Sequence, residues 1–138
     1  MDPTSTDSVR LTVPAASAAV RIARAGAAGL ATRAGFTYHE VEQLRLAVGE
    51  AAALLAPEPD GQGTLELLFL LDGDGLSVDL HLADVGTDDP ARRRVPSPLP
   101  SVAGAVLDAA TDTWQIDDEG RRIVLRKRRS DDDVDDDD

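Results

Sequence analysis

Between Leu65 and Leu82 apolar residues recur at every second position, and the run is broken once, by Asp72-Gly73-Asp74-Gly75. A period of two places successive side chains on opposite faces of an extended chain. The segment therefore predicts two strands joined by a tight hairpin turn. Leu65, Leu67, Phe69 and Leu71 line one face of the first strand, and Leu76, Val78, Leu80 and Leu82 line one face of the second. Ser77, Asp79 and His81 fall on the other side, so the sheet has one buried face and one wetter face. Such a sheet needs a layer to cover it, and the rest of the chain has to supply that layer.

Val9, Leu11 and Val13 alternate as a further strand, after which Pro14 suits the first position of a helix. From Ala15 to Ala34 the chain is rich in alanine, with Val20, Ala23, Ala27 and Leu30 at helical spacing and Gly35 as a C-terminal stop. Gly26 and Gly29 each cost this helix about 1 kcal/mol relative to alanine, and either allow close packing or mark a weak turn. A second helix is expected from Thr37, whose spacing to Glu40 is that of a capping box. Val41, Leu44, Val48, Ala51 and Leu55 give it one buried stripe, and Pro57, Pro59, Asp60 and Gly61 end it. After an irregular stretch from Gly86 to Pro100, a short helix at about Ser101 to Thr111 leads into a last hairpin. Its strands are Thr113 to Ile116 and Arg122 to Arg126, turning at Asp118-Glu119-Gly120. The order β-α-α-β-β-loop-α-β-β predicts an α+β two-layer sandwich, a mostly antiparallel five-stranded sheet with three helices on one face.

The chain has 138 residues, enough for one domain, expected over 9–129 between an N-terminal tail (1–8) and a disordered acidic tail (130–138). Aromatic residues make up only 3%, so the core must be built from small side chains. The absence of cysteine excludes disulfides and thiolate metal sites. No apolar run approaches the roughly 20 residues of a membrane span. The early Asp2 and Asp7 do not suit a signal peptide, so a cytoplasmic location is expected. A net charge of −12 argues against direct nucleic-acid binding. Arg126-Lys127-Arg128-Arg129 and Ser130 are followed by Asp at every position from 131 to 138 except Val134. This tail reads as a solubilising segment, or as a competitor for a basic surface on a partner. His39 and His81 lack a companion at ligand spacing, so no metal site is expected. Trp114 is expected to fill core, and no Ser-His-Asp arrangement stands out.

With the run Leu44-Arg45-Leu46-Ala47-Val48-Gly49-Glu50-Ala51 in the second helix and Asp84-Val85-Gly86 closing the third strand, this order resembles the serine-kinase anti-sigma factors. These form part of the histidine-kinase-like (GHKL) ATPase superfamily, and the likeness runs from about Val9 to Arg128. The Ala- and Arg-rich composition is similar to that of actinobacterial members. The resemblance implies that Glu50 matches the family's general base. The Asn expected four residues later, on the same helical face, to hold Mg²⁺ is here Leu54, and a hard cation needs oxygen ligands. Asp84 and Gly86 match the family's adenine-reading pair. The family's glycine-rich phosphate lid is replaced by Pro96-Ser97-Pro98-Leu99-Pro100, where each proline removes an N–H donor. Arg92, Arg93 and Arg94 read as a solvated basic loop or as substitute phosphate contacts. Glu50 also reads as an ordinary helix-surface carboxylate, and Asp84 and Gly86 as a strand-ending turn. Aligned on the first strand, Arg24 falls where the family presents a partner-binding arginine from the first helix of a homodimer. Arg21 lies one turn earlier on the same face, and both also read simply as exposed arginines. The resemblance thus implies a degenerate anti-sigma factor that sequesters a sigma factor and is released by an anti-anti-sigma antagonist. It implies no kinase activity and no required cofactor, with ATP and Mg²⁺ as weak ligands at most. The alternatives are an ATP-dependent serine kinase acting on the antagonist, or a pseudokinase scaffold with a different partner.

Overall fold

The expected hairpin lies at the middle of the sheet. The computed structural model describes residues 7–59, 61–83, 95–96 and 99–130. It contains β1 (Asp7–Pro14), α1 (Val20–Arg33), α2 (Tyr38–Leu55), β2 (Thr64–Leu71), β3 (Gly75–Ala83), α3 (Ser101–Ala110), β4 (Thr113–Ile116) and β5 (Arg122–Arg128). The strand order is β1-β2-β3-β5-β4, with every neighbouring pair antiparallel. The α+β sandwich and the element order expected from the sequence are borne out. The adenine-reading pair Asp84 and Gly86, the Arg92 to Arg94 run and Ser97-Pro98 lie outside the described residues.

Register puts one apolar row of each strand on the helix side. Leu67 faces Leu80, Leu80 faces Ile123, Phe69 faces Val78 and Val78 faces Leu125. All six are fully buried. Helix α2 lies over this row and buries Val41, Leu44, Val48, Ala51 and Leu55, the stripe read from its spacing. Helix α1 buries Val20, Ala23, Ala27 and Ala31. Alanines on that face let α1 approach α2 closely, which is how a core poor in aromatics still reaches packing density. Gly26 instead faces the sheet, where a Cβ would meet Leu11 of β1 at 3.4 Å, whereas Gly29 faces open space. The helix runs through both glycines without a turn.

Several boundaries differ from the sequence expectation, the first being β1, which begins at Asp7 inside the expected tail. The first helix begins at Val20, preceded by a single 3-10 turn (Ser17–Ala19), and not at Ala15. Pro14 does not open it, because Pro14 pairs with Thr64 as the last residue of β1. The backbone beyond is held to the α2–β2 connection: Ala15 N–H donates to Gly63 O (3.1 Å) and Ser17 N–H to Glu58 O (3.0 Å). Helix α3 stops at Ala110, and Thr111 caps it. Strand β5 continues to Arg128 because Gly75 and Leu76 of β3 supply partners for Arg128 and Lys127. Gly75 is required there, since a Cβ would collide with the Lys127 carbonyl oxygen. Gly35 ends α1 with φ of 91°, a left-handed conformation that glycine adopts freely.

One carboxylate joins the start of α2 to the end of β5. Thr37 Oγ1 accepts from Glu40 N–H (3.2 Å), and Glu40 Oε1 accepts from Thr37 N–H (2.8 Å), completing the capping box. Glu40 Oε2 accepts from the N–H of Ser130 (2.9 Å). Arg129 fastens the same corner by donating to Ala34 O (3.1 Å) and Gly73 O (2.8 Å). Glu40 is only 8% exposed. Burial pushes its pKa up, but the hydrogen bonds from Thr37 and Ser130 outweigh this and hold it below the ordinary 4.5. At the β2–β3 turn Asp72 is likewise held below its ordinary value, chiefly by Arg126.

A lowered folded pKa contributes stability that is present above the unfolded value and lost as pH falls through the folded one. Glu40→Gln keeps one acceptor but cannot receive both N–H donors. It is expected to cost about 1–3 kcal/mol at neutral pH. It should also flatten the fall in stability that the parent protein shows below an ordinary glutamate value of 4.5. Urea melts across that pH range check both effects, and an unchanged acid slope in the variant would remove Glu40 from the account.

Candidate functional site

Two candidate surfaces flank α2. On the side toward α3, Gln43 Nε2 reaches the carbonyl of Ala109 at 3.4 Å. Ala47, Glu50 and Leu54 continue that stripe at intervals of four, three and four residues. Glu50 is half-buried and has no hydrogen bond or ion pair with any described residue. Leu54 packs against the core, so its place on the stripe holds a hydrocarbon and not an oxygen ligand. Among the described residues no three His, Cys, Asp or Glu gather as a metal site. At the far end of the expected lid, Pro100 is the residue before α3, and no side chain caps that helix. At the near end Val95 is buried, and its N–H donates to Gly120 O (2.9 Å), which ties the segment to the β4–β5 turn. Trp114 packs on the core edge as expected and donates from Nε1 to Asp108 (2.8 Å).

On the other side of α2 lies its seam with α1. Arg21 and Arg24 sit on this helix, both exposed and neither bonded to a described residue. The Arg24 stem crosses directly over Gly49: a Cβ at Gly49 would lie 3.1 Å from Arg24 Cγ and Cδ and closer still to Nε. Gly49 is therefore a seat for the Arg24 side chain, a role that its place within the family-like run did not reveal. One turn away from this seat the seam opens into a cleft of about 590 Å³. Gly29 and Thr32 of α1 line it with Phe36, Tyr38 and Arg45. Tyr38, at the start of α2, is 81% exposed, and Leu46, one turn before Gly49, is 54% exposed. The structure thus separates the sequence candidates, placing Glu50 and Leu54 toward α3 and Arg21 and Arg24 toward α1.

This arrangement is that of a histidine-kinase-like sandwich whose central helix carries an acidic residue on the side toward α3 and seats an exposed arginine of α1 on the other. Comparison with known proteins places its relatives. The chain is 34% identical to the serine-protein kinase RsbW of Listeria monocytogenes serotype 4a over 86 residues, 59% of this chain and 52% of that protein. It is 32% identical to RsbW of Bacillus subtilis over 99 residues, 62% of each chain. With RsbW of Bacillus velezensis it shares 30% over 102 residues, 64% of each. No family model matches the chain. The chain spans about half the length of the Listeria relatives. The family resemblance read from α2 is borne out by this similarity to RsbW serine-protein kinases.

Filling the seat offers a direct test of the seam geometry. Gly49→Ala should leave the protein as stable or raise its stability by up to about 1 kcal/mol, the helix preference of alanine over glycine. It should at the same time displace Arg24, which the Nε–Hε resonance of that side chain reports. A destabilised variant with an unmoved arginine resonance would show that Gly49 serves backbone packing and not the side chain.

Proposed function

We propose that the protein is an anti-sigma factor of a partner-switching system, acting in the cytoplasm by occlusion and without phosphate transfer. The observation that carries this reading is Arg24: a guanidinium with no hydrogen bond or ion pair among the described residues, its stem positioned by Gly49 on the seam of two helices, with exposed Leu46 one turn before Gly49 and exposed Tyr38 at the far end of the seam. Arginine pairs bidentately with carboxylates and is enriched at interface hot spots, as is tyrosine. Such a surface suits an acidic helical partner, the sigma factor, and equally an anti-anti-sigma antagonist that displaces it from the same arginines. A homodimer would present two of these seams. Leu54 supports the absence of phosphate transfer, because Mg²⁺ has no oxygen ligand at that place, and it counts against a required ATP–Mg²⁺ cofactor.

Calorimetric titration with a candidate sigma factor, with and without ATP and Mg²⁺, tests the reading. Tight, nucleotide-independent binding is the expected outcome. Arg24→Glu should then weaken it by about 2–4 kcal/mol, the range of an interface hot spot, with melting unchanged. Unchanged affinity would remove Arg24 from the interface.

A second reading, a serine kinase acting on the antagonist, is favoured by the retention of Glu50 and by the names of the relatives. It expects Mg-dependent ATP binding. On the leading reading Leu54→Asn alone restores no phosphate transfer, because Pro96 and Pro100 still withhold backbone donors from the lid. Radiolabel transfer in that single variant would favour the kinase.

A further inference from the structure

A glycine inside a helix is unfavourable relative to alanine. Gly26 and Gly49 have a reason to be small, since one lies against Leu11 and the other under Arg24. Gly29 has none of that kind, with nothing within 4 Å of where a Cβ would stand. It is exposed, and it lines the cleft of about 590 Å³ between α1 and α2. Phe36 and Val41, each 7% exposed, give that cleft an apolar floor, and Tyr38 stands at its rim. The polar groups of the walls are already engaged. Thr32 Oγ1 donates to Ala28 O (2.8 Å), and Glu42 pairs with Arg45 (3.2 Å). The cleft therefore suits an apolar occupant and not a charged one. Unpaired charge lies further along the seam, at Arg24, which has no hydrogen bond or ion pair among the described residues. Helix α1 carries Arg21, Arg24 and Arg33 and no acidic residue, in a chain whose net charge is −12.

We propose that the α1–α2 cleft takes a bulky apolar side chain from an amphipathic helix of the protein partner, while an acidic residue of the same helix pairs with Arg24. The inference rests on the sigma-binding function proposed above and adds which features of the partner are gripped. Small residues at the contact let two helices approach closely, and exposed Gly29 leaves that room beside half-buried Ala28. Along α1, Ala28 and Thr32 stand about 6 and 12 Å beyond Arg24. On a partner helix lying along the seam, those separations correspond to residues four, seven or eight apart, which share one face. The partner segment is thus a helix with a leucine- or phenylalanine-sized residue and a carboxylate at one of those spacings. The two contacts divide the work: the buried anchor supplies most of the affinity, and the exposed charge pair sets direction and register.

Gly29→Leu fills the cleft from the α1 side, where there is open space for the new side chain. The test titrates the parent and this variant calorimetrically with the sigma factors of the same organism. Gly29→Leu should weaken binding by about tenfold to a hundredfold, the equivalent of burying one large apolar side chain. Its melting temperature should equal or exceed that of the parent, because leucine is the better helix former. A second measurement replaces the apolar anchor of the sigma factor with alanine. That change should cost the parent a similar factor and the Gly29→Leu variant almost nothing, since the anchor no longer enters the cleft. Equal affinity of parent and Gly29→Leu would overturn the cleft assignment and leave the proposed function standing. Additive losses in the double variant would overturn it as well. A parent protein that binds none of the sigma factors would remove the proposed function, and the occupant of the cleft with it.

Discussion

Glu40 connects parts of the chain that lie far apart in sequence. Its backbone and one carboxylate oxygen complete the cap of α2, and its other oxygen receives the N–H of Ser130, so a single side chain begins the central helix and closes the last strand. The helix it starts is packed against α1 on one side, α3 on the other and the β3–β5 region of the sheet below. Any shift of α2 along its axis would move the Leu44, Val48 and Ala51 stripe out of register with the sheet, and it would carry Gly49 and Glu50 with it. Both candidate surfaces therefore inherit their geometry from the same anchored helix.

That dependence also lets the two sides of α2 differ in chemistry without disturbing each other. Leucine at position 54 deprives the α3 side of an oxygen donor but fits the helix, because its side chain packs on the core edge. Helix propensity, cap and buried stripe are all unaffected, so the α1 side keeps its form. Helical spacing carries this separation: residues 47, 50 and 54 run down one side of α2, and residues 45 and 49 down another.

Much of the fold was legible because the sequence carries strong local periodicity. The alternation of β2 and β3, the capping box of α2 and the Gly35 stop each have a physical cause within a few residues, and each was borne out. The start of α1 was not legible in that way. Pro14 has a good local reason to open a helix, but pairing with Thr64 and the bonds from Ala15 and Ser17 to the α2–β2 connection override it, and those partners lie roughly fifty residues away. The same holds for the site. Arg24, Glu50 and Leu54 were named from their places in the chain, but the seating of Arg24 on Gly49 depends on how closely two helices approach. No pattern within either helix encodes that distance, although a glycine inside an otherwise good helix former is a hint that something crosses it.

The small side chains that make this approach possible also set the character of the exposed surface. With Ala23, Ala27 and Ala31 buried against α2, α1 places its arginine stems and Ile22 outward. A larger residue at any of these alanines would push the helices apart and loosen the contact of the Arg24 stem with Gly49. The scarcity of aromatics, a weakness in core-building terms, is thus a requirement of the seam.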